Sequence, residues 1–378
     1  MSDWLERLER KAELRAKAGL ARELRHRGPD DHVVDLAGND YLGLATHPAV
    51  VAAAQAALGA YGLGAMGSRL VRGSTGAHRD LEERLASWLG TEAALVYSSG
   101  YLANVGAVRA LTQPRTLLVS DAHNHASLID GCRISGAEVV VTPHADVAAV
   151  EAALAAAPGR PAVVVTESIF SVDGDLAPLA DLHAAARRHG ALLLVDDAHA
   201  LGVIGPAGAG GVVAAGLAGQ PDVVVTATLS KSLGAAGGII AGPAPLTRHL
   251  VDTGRTFIFD TAPPPAVVAG ALAALEVARA SDGLRAELAD RATTLVRRVR
   301  AAGLDVTEPA GAVVSVTAPG PETAVAWAAD CRDRGVAVGC FRPPSTPDSR
   351  ARLRLTVNAG VPRADFDRAL DVIVECAP

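Results

Sequence analysis

The sequence contains very little lysine, and its few lysines are unevenly distributed. Of the 35 basic residues only Lys11, Lys17 and Lys231 are lysines, and all the others are arginine. Lys11 and Lys17 belong to a charged N-terminal segment, which leaves Lys231 alone in the body of the chain. Arginine can replace lysine on a solvated surface, but its guanidinium stays protonated and cannot form a Schiff base. Lys231, in an apolar and glycine-rich stretch, is therefore a candidate reactive amine, although the stretch taken alone favours a solvated loop lysine.

Other features that the sequence lacks exclude several classes of protein. Aromatic residues make up only 3% of the chain, the net charge is −6 and no basic block occurs, which argues against nucleic-acid or anionic membrane partners. The four cysteines form no CxxC pair, as expected for reduced cytosolic thiols rather than disulfides or a zinc site. No apolar run approaches the roughly 18 residues of a membrane span, and the N-terminus lacks the apolar core of a signal peptide. These absences predict a cytoplasmic protein without a membrane segment.

The length and periodicity of the chain predict its organisation. With 378 residues, 49% of them hydrophobic, two domains are expected. We predict an N-terminal helical arm with a short strand over 1–45, a large α/β domain over 46–275 and a smaller α/β domain over 276–378. Helices that alternate with short apolar strands indicate a doubly wound, mostly parallel sheet. The predicted helices lie near 3–27, 48–60, 77–89, 101–111, 178–189, 266–302, 321–335 and 362–375, and the predicted strands near 33–36, 93–97, 116–119, 138–142, 162–166, 191–195, 222–226, 304–308, 312–317, 336–340 and 351–357.

A glycine-rich loop at 62–67 matches the GxGxxG pattern of dinucleotide-binding proteins. That fingerprint needs a strand before it, a helix that begins within it and an acidic residue about 20 positions later. Here a predicted helix precedes the loop and more loop follows. We interpret the stretch as a flexible loop whose small residues suit close approach to a ligand or another chain.

Polar side chains gather immediately after the predicted strands of the large domain. The strand at 191–195 is followed by Asp-Asp-Ala-His, the strand at 222–226 leads to Lys231, and the strand near 116–119 leads to His-Asn-His at 123–125. The strand at 93–97 runs into Ser-Ser-Gly-Tyr, where a helix begins and its free N–H groups form a candidate anion site. Ligands of open α/β sheets bind beyond the carboxyl ends of the strands, so these groups are predicted to meet at one edge.

A divalent metal is one possible ligand for this set. Its ligands would be Asp196, Asp197, His199, His123 and His125. However, no recognised ligand spacing occurs, and Lys231 would have no role. We therefore predict no metal site.

A pyridoxal phosphate (PLP) site gives each of these residues a task. Lys231 would form the Schiff base, and Asp196 would pair with the pyridine nitrogen, because a nearby opposite charge favours the protonated ring. His199 could reach the ring hydroxyl and His125 could lie on the ring face. The predicted phosphate ligands are hydroxyl residues and the start of a helix, namely Ser99, Gly100, Tyr101, Thr228 and Ser230.

Four of these stretches, taken in order, resemble motifs of the α-oxoamine synthases, which are fold-type I PLP enzymes. They are Ser-Ser-Gly-Tyr at 98–101, Asn-His-Ala-Ser at 124–127, Asp-Asp-Ala-His at 196–199 and Thr-Leu-Ser-Lys-Ser-Leu-Gly at 228–234. The resemblance extends from Asn-Asp-Tyr-Leu-Gly at 39–43 to Arg-Leu-Arg-Leu-Thr at 352–356. It implies an acyltransferase that acts as a homodimer, with active sites at the subunit interface.

The resemblance also implies roles for individual residues. Lys231 would be Schiff base and proton shuttle, with Asp196 on the pyridine nitrogen and His125 stacked on the ring. His199 and Ser171 would bond the ring hydroxyl. The remaining implied contacts are to the amino acid carboxylate, from Asn39 and Arg342, and to the partner subunit's phosphate group, from Thr261.

The resemblance leaves more than one substrate pair open. Compact length and the loops at 67–71 and 341–344 favour decarboxylative condensation of L-alanine with pimeloyl-CoA, or pimeloyl carrier protein, in biotin biosynthesis. A sister enzyme would instead combine glycine with acetyl-, succinyl- or long-chain acyl-CoA. A cofactor-free binding protein on the same fold is a third hypothesis, against which the single lysine and its polar neighbours argue.

Overall fold

The fold is organised around two sheets, described here from a computed structural model that covers residues 3–29 and 31–378. The strands are β1 (Val34–Leu36), β2 (Ala93–Tyr97), β3 (Leu117–Asp121), β4 (Glu138–Thr142), β5 (Ala162–Glu167), β6 (Leu192–Asp196), β7 (Val223–Thr228), β8 (Gly238–Gly242), β9 (Val313–Thr317), β10 (Val336–Phe341) and β11 (Arg352–Thr356). The helices are α1 (Asp3–Lys17), α2 (Pro48–Tyr61), α3 (Gly76–Leu89), α4 (Gly100–Ala110), α5 (Ala126–Ile134), α6 (Val147–Ala155), α7 (Leu179–Arg188), α8 (Gly211–Ala214), α9 (Ala244–Thr253), α10 (Arg255–Ile258), α11 (Pro265–Ala280), α12 (Asp282–Ala301), α13 (Pro321–Asp333) and α14 (Arg363–Glu375).

The larger sheet has seven strands in the order β2-β8-β7-β6-β5-β3-β4. All neighbouring pairs are parallel except those made by β8, which is antiparallel to both β2 and β7. Strands β3, β5 and β7 are buried along their whole length, as expected for strands covered on both faces by helices, which explains their continuous apolar runs. The register aligns Glu167 with Asp196 and Asp196 with Thr226, so three strands end side by side. The predicted mostly parallel α/β sheet is confirmed.

Strand β8 was not predicted from the sequence. It begins with glycine directly after the turn that carries Lys231. A Cβ atom at Gly238 would lie 2.2 Å from the Ser99 carbonyl oxygen, so β8 passes the start of α4 too closely for any side chain. Close packing therefore requires the glycine at position 238.

The smaller sheet has four strands in the order β1-β10-β11-β9. Strand β1 comes from the predicted N-terminal segment and pairs in parallel with β10, while the other pairs are antiparallel. The predicted strand at 304–308 is reduced to one isolated bridge, between Val306 and Val316. The predicted domain boundary near residue 275 falls inside α11, and the three-part division of the chain stays a prediction.

The N-terminal helix is shorter than predicted. The prediction of a helix over 3–27 is wrong beyond Lys17, because Gly19 takes a left-handed backbone conformation (φ 64°) that ends α1. No side chain of α1 is buried, and Trp4 remains 65% exposed. Within the described part of the chain, no helix has both the length and the apolar character required to span a membrane.

Candidate active site

The carboxyl edge of the larger sheet holds a cavity of about 250 Å³. Its walls come from the ends of β2, β3, β5, β6 and β7 and from the start of α4. The lining residues are Ser99, Gly100, Tyr101, Asn104, His125, Ser127, Glu167, Asp196, Ala198, His199, Thr228, Ser230 and Lys231. The structure thus brings together all the predicted site residues except Asn39, Ser171, Thr261 and Arg342.

Lys231 is carried by a tight turn that follows β7. The N–H of Gly234 donates to the Lys231 carbonyl (2.8 Å), and Gly234 has a φ of 59°. A Cβ atom at Gly234 would lie 2.3 Å from the backbone nitrogen of Ala45, so the position requires glycine. Burial lowers the pKa of the Lys231 amine to about 8; Asp196 opposes this shift and the positive charge of Arg354 adds to it. The amine therefore loses its proton more readily than an ordinary lysine does, and the unprotonated form is the nucleophile.

Asp196 and His125 face the same cavity from neighbouring elements. The Asp196 carboxylate accepts hydrogen bonds from the Asn104 side-chain amide (2.6 Å) and from the Ala198 N–H (3.0 Å), which fixes its orientation. His125 caps α5 and lies 2.7 Å, Nδ1 to Oγ, from Ser127. Burial lowers the pKa of His125, so the imidazole is neutral near pH 7.

His199 is held by a tyrosine that sequence reasoning did not select. Its Nδ1 lies 2.7 Å from the hydroxyl of Tyr41, which also donates to Asn39 Oδ1 (3.1 Å). Burial lowers the pKa of His199 well below its usual value, and the charges of Lys231 and Arg354 lower it further. The Asp-Tyr motif at 40–41 was part of the family resemblance, and it was the available signal for Tyr41.

Two arginines are candidates for the predicted contact with the amino acid carboxylate. Arg342 donates to the Ala21 carbonyl and lines a separate cavity of about 840 Å³ between residues 19–25 and the surface of α13 and β10. Arg354 is instead buried beside the candidate site, where it donates to Asn39 Oδ1 (3.2 Å from each terminal nitrogen) and to the Ser171 carbonyl (2.6 Å). Asn39 is therefore joined to Arg354, and the role of Arg342 stays a prediction.

The other predicted contacts lie close to the cavity or on the outer surface. The Ser171 N–H donates to Glu167 Oε2 (3.1 Å), which places Ser171 on the loop after β5. Thr261 forms an isolated bridge with Ser68, outside the cavity. Glu167 was not selected from the sequence, yet it is buried, and burial raises its pKa well above the usual range. Among residues 3–29 and 31–378, its Oε1 has no hydrogen-bond partner. An unpartnered buried oxygen in this cavity points to a ligand that the site is built to receive.

The residues present fit PLP. The start of α4 provides free N–H groups, Ser99 Oγ accepts from the Leu102 N–H (3.1 Å), and a Cβ atom at Gly100 would meet Thr228 at 3.0 Å. Thr228 and Ser230 add two hydroxyls that lie 2.8 Å apart. This anion cradle, the amine of Lys231 and the carboxylate of Asp196 together match the phosphate, carbonyl and pyridine nitrogen of PLP.

The fold and the site define a class of protein. The chain belongs to the aminotransferase class I and II family, whose model matches residues 31–373. The predicted fold-type I architecture and the α-oxoamine synthase resemblance are confirmed by this match and by the relatives described next.

Two relatives with assigned names are similar to this chain along nearly its whole length. An 8-amino-7-oxononanoate synthase of Mycolicibacterium gilvum (strain PYR-GCK) is 53% identical over 372 residues, which cover 98% of this chain and 96% of the relative. The enzyme of the same name from Mycolicibacterium smegmatis (strain ATCC 700084 / mc(2)155) is 54% identical over 373 residues, again covering 98% and 96%.

Solved structures give the same fold. Serine palmitoyltransferase from S. paucimobilis, with bound PLP–myriocin, superposes with a TM-score of 0.91 at 31% identity and covers 98% of this chain and 96% of its own. An 8-amino-7-oxononanoate synthase from Francisella tularensis has a TM-score of 0.79 at 24% identity, covering 92% and 98%, and supports the fold.

Proposed function

We propose that this chain is a PLP-dependent acyltransferase that condenses L-alanine with a pimeloyl thioester, on CoA or a carrier protein. The products are 8-amino-7-oxononanoate, CO2 and the free thiol, in a step of biotin biosynthesis. The observation that carries the proposal is the meeting of Lys231, Asp196 and His125 in one cavity. The chain is 53% identical, along nearly its whole length, to a synthase named for this product.

The cofactor would be held by groups that line the cavity. When bound, PLP supplies a carbonyl that links covalently to amines and a protonated ring that takes up the electrons of a carbanion. The anion cradle of Ser99, Gly100, Thr228 and Ser230 supports phosphate binding. Asp196 would pair with the pyridine nitrogen, and His125, neutral because burial lowers its pKa, would lie against the ring.

Proton transfer at the amino acid Cα is assigned to Lys231. Its lowered pKa, about 8, brings the amine close to the working pH, where a general base is most effective. The amine is the one lysine side chain outside the N-terminal segment. His199, also neutral, would contact the ring hydroxyl through the nitrogen that Tyr41 does not contact.

The substrate carboxylate would be bound by Arg354, with Asn39 beside it. Arg354 is buried and its hydrogen bonds go to neutral oxygens, so within the described part of the chain its charge has no carboxylate counterion. A planar guanidinium suits bidentate binding of a carboxylate. Arg342, the residue predicted from the sequence, remains an alternative that a substitution at each position would distinguish.

A homodimer is supported by exposed apolar side chains around the glycine-rich loop. Leu63, Met66, Val71 and Phe259 are each more than 70% exposed. Thr261 lies in the same region, where it forms a β-bridge with Ser68, which supports its predicted contact with the partner's phosphate.

Analytical ultracentrifugation tests the dimer. The wild type should sediment as a monodisperse dimer, and the double variant Met66→Glu, Val71→Glu should sediment as a monomer.

The cytoplasmic location stays a prediction.

A matrix of substrates tests the function. Purified protein is expected to be yellow, and borohydride should fix the cofactor on Lys231 in a peptide mass spectrum. Thiol release is then measured with L-alanine or glycine against pimeloyl-, acetyl-, succinyl- and palmitoyl-CoA, and L-alanine with pimeloyl-CoA should be fastest. Turnover with glycine and acetyl-CoA, and none with L-alanine and pimeloyl-CoA, would identify a sister enzyme. A colourless protein that takes up no added PLP would support the cofactor-free binding protein.

A further inference from the structure

Asn104 is the centre of a buried hydrogen-bonded chain that the proposed function does not use. The residue lies in α4 with 3% of its surface exposed. Its side-chain oxygen accepts from the Thr226 hydroxyl. Its side-chain nitrogen donates to Asp196 Oδ2 (2.6 Å) and to Ser127 Oγ (2.8 Å). Every hydrogen-bonding atom of the amide therefore has a partner, and two of these partners line the candidate site.

The direction of each hydrogen bond follows from counting protons. Asp196 is an acceptor when ionised, so the amide nitrogen and not the amide oxygen of Asn104 must face it. The hydroxyl of Thr226 satisfies the oxygen on the other side and locks this orientation. The second amide proton then points to Ser127, whose oxygen must accept it.

The same count determines the state of His125. Ser127 Oγ accepts from Asn104 and lies 2.7 Å from His125 Nδ1, so its one proton can be donated there whenever Nδ1 is an acceptor. The backbone N–H of Ser127 also points at Nδ1 (3.2 Å) and is a donor in every state. The backbone N–H makes Nδ1 an acceptor, so a neutral His125 carries its proton on Nε2 and the Ser127 hydroxyl is oriented to donate to Nδ1 as well.

We propose that Asn104 is a positioning residue that couples the two groups meant to face the cofactor ring. Through one amide proton it orients the Asp196 carboxylate, and through the other it holds Ser127 Oγ beside His125 Nδ1, where the hydroxyl donates and strengthens the preference for the Nε2–H tautomer. The inference rests on the proposed function, because the coupling has a purpose only where both groups contact one ring.

The surroundings of His125 favour a neutral ring. Burial is the main cause of its lowered pKa, and Lys231 and Arg354 lower it further, against the opposing charges of Asp196 and Asp130. Protonation would place a third hydrogen at Nδ1, between two existing donors. The hydrogen bonds at Nδ1 thus fix the orientation of the His125 ring and leave it with one N–H. A neutral ring held in this way is suited to stacking.

The first experiment reads the tautomer directly and needs neither cofactor nor substrate. The full chain is labelled with 15N-histidine, and the ring nitrogens of His125, assigned by comparison with His125→Gln, are recorded by NMR near neutral pH. The wild type should show the Nε2–H form alone. In Asn104→Leu and in Ser127→Ala the hydroxyl donor is lost or free to rotate, so the two ring resonances should shift toward each other as Nδ1–H becomes populated.

Two results would overturn the coupling. An Nδ1–H form in the wild type contradicts the proton count. An unchanged Nε2–H form in both Asn104→Leu and Ser127→Ala would mean that the backbone N–H of Ser127 suffices and that Asn104 only fills space. Asn124→Ala is the control for loss of a buried asparagine, because Asn124 donates to Ser120 Oγ (3.0 Å) and the Val165 carbonyl (2.8 Å) instead. It should leave the His125 spectrum unchanged.

The second experiment uses the holoenzyme and separates the Asn104–Asp196 hydrogen bond from the chain that runs from Asn104 through Ser127 to His125. Asn104→Leu removes a hydrogen bond to a charged group and should weaken PLP binding by about tenfold or more, and shift the pH at which the bound cofactor changes its absorption spectrum. Ser127→Ala keeps the bond to Asp196 and should change PLP affinity by less than about threefold. Equal losses of PLP affinity in both variants would contradict separate roles for the two hydrogen bonds that Asn104 donates. If the wild type bound no PLP, the proposed function would fail, whereas the tautomer result would stand.

Discussion

Histidines that follow strands of the larger sheet differ in electrostatic character: His125 follows β3, His144 follows β4 and His199 follows β6. His125 and His199 line the candidate site, and burial lowers the pKa of both. His144 is not among the residues that line this cavity, and its Nδ1 lies 3.1 Å from Asp121 and its Nε2 2.8 Å from Asp175. Burial opposes the charging of His144 as well, but the two carboxylates raise its pKa to about 10. Proximity to the sheet edge alone therefore does not identify a site residue.

The arginines of β11 show the same contrast two residues apart. Arg352 is paired with the carboxylates of Asp173 and Asp348, so its charge is neutralised and it ties two loops to the small sheet. Arg354 lies on the same face of the strand, and its partners are an amide oxygen and a carbonyl. The paired charge of Arg352 stabilises the fold, and the charge of Arg354, buried beside the candidate site with neutral partners, is available for a ligand.

The largest effect is expected at Lys231. Lys231→Ala removes both the covalent anchor and the base at the amino acid Cα, and turnover should fall by at least about 10³-fold, since one general base contributes about 10²- to 10⁴-fold. Folding should be preserved, because the variant deletes a buried amine that burial already disfavours in its charged form. The measurements are thiol release and borohydride labelling. Full turnover in Lys231→Ala would refute the assigned mechanism.

Two single substitutions in β11 should separate binding of the amino acid from stability of the fold. Arg354→Leu should raise KM for the amino acid by about 30-fold or more, since a lost buried charge contact costs about 2–5 kcal/mol. Arg352→Leu leaves Asp173 and Asp348 without a counterion and should lower the free energy of unfolding by about 3 kcal/mol, with a smaller effect on KM. The KM is obtained from initial rates and the stability from urea unfolding.

The control for this pair is Arg342→Leu. It should leave KM unchanged if Arg354 binds the substrate carboxylate. A rise in KM at Arg342 and none at Arg354 would reverse the assignment and restore the ligand predicted from the sequence.

The candidate site could be predicted where it depends on the order of strands along the chain. Lys231, Asp196 and His125 follow parallel strands, and the carboxyl ends of such strands meet at one edge whatever the side-chain packing. Arg354 could not be predicted in this way, because β11 belongs to the other sheet and reaches the cavity only through tertiary packing. The motif that contains Arg354 was recognised, but pattern alone did not separate it from Arg342.

The parts of the fold that were missed depend on contacts between distant residues. Strand β8 begins at Gly238, which is required by the close approach of Ser99, more than a hundred residues away in the chain. Asn104 had no signal beyond its position one turn into α4, because its partners come from β6, β7 and α5. A helix–strand pattern predicts which elements form, whereas buried hydrogen-bond partners appear only once the elements are packed.

The smallest expected effect on turnover is at His144, which is paired with Asp121 and Asp175. The pKa of His144 is raised to about 10 from an ordinary value of 6.5, so the folded state binds a proton that the unfolded state releases between these values. Its stabilisation is complete below about pH 6.5 and is lost as the pH rises toward 10. His144→Gln should therefore lower the free energy of unfolding by about 2 kcal/mol near pH 6 and by much less near pH 10, while turnover at neutral pH changes by less than about threefold. Urea unfolding of wild type and variant at several pH values gives the difference, in which titrating groups that do not contact His144 cancel. A difference that stayed constant with pH, or a loss of turnover as large as that of Lys231→Ala, would show that His144 does not belong to a purely structural cluster.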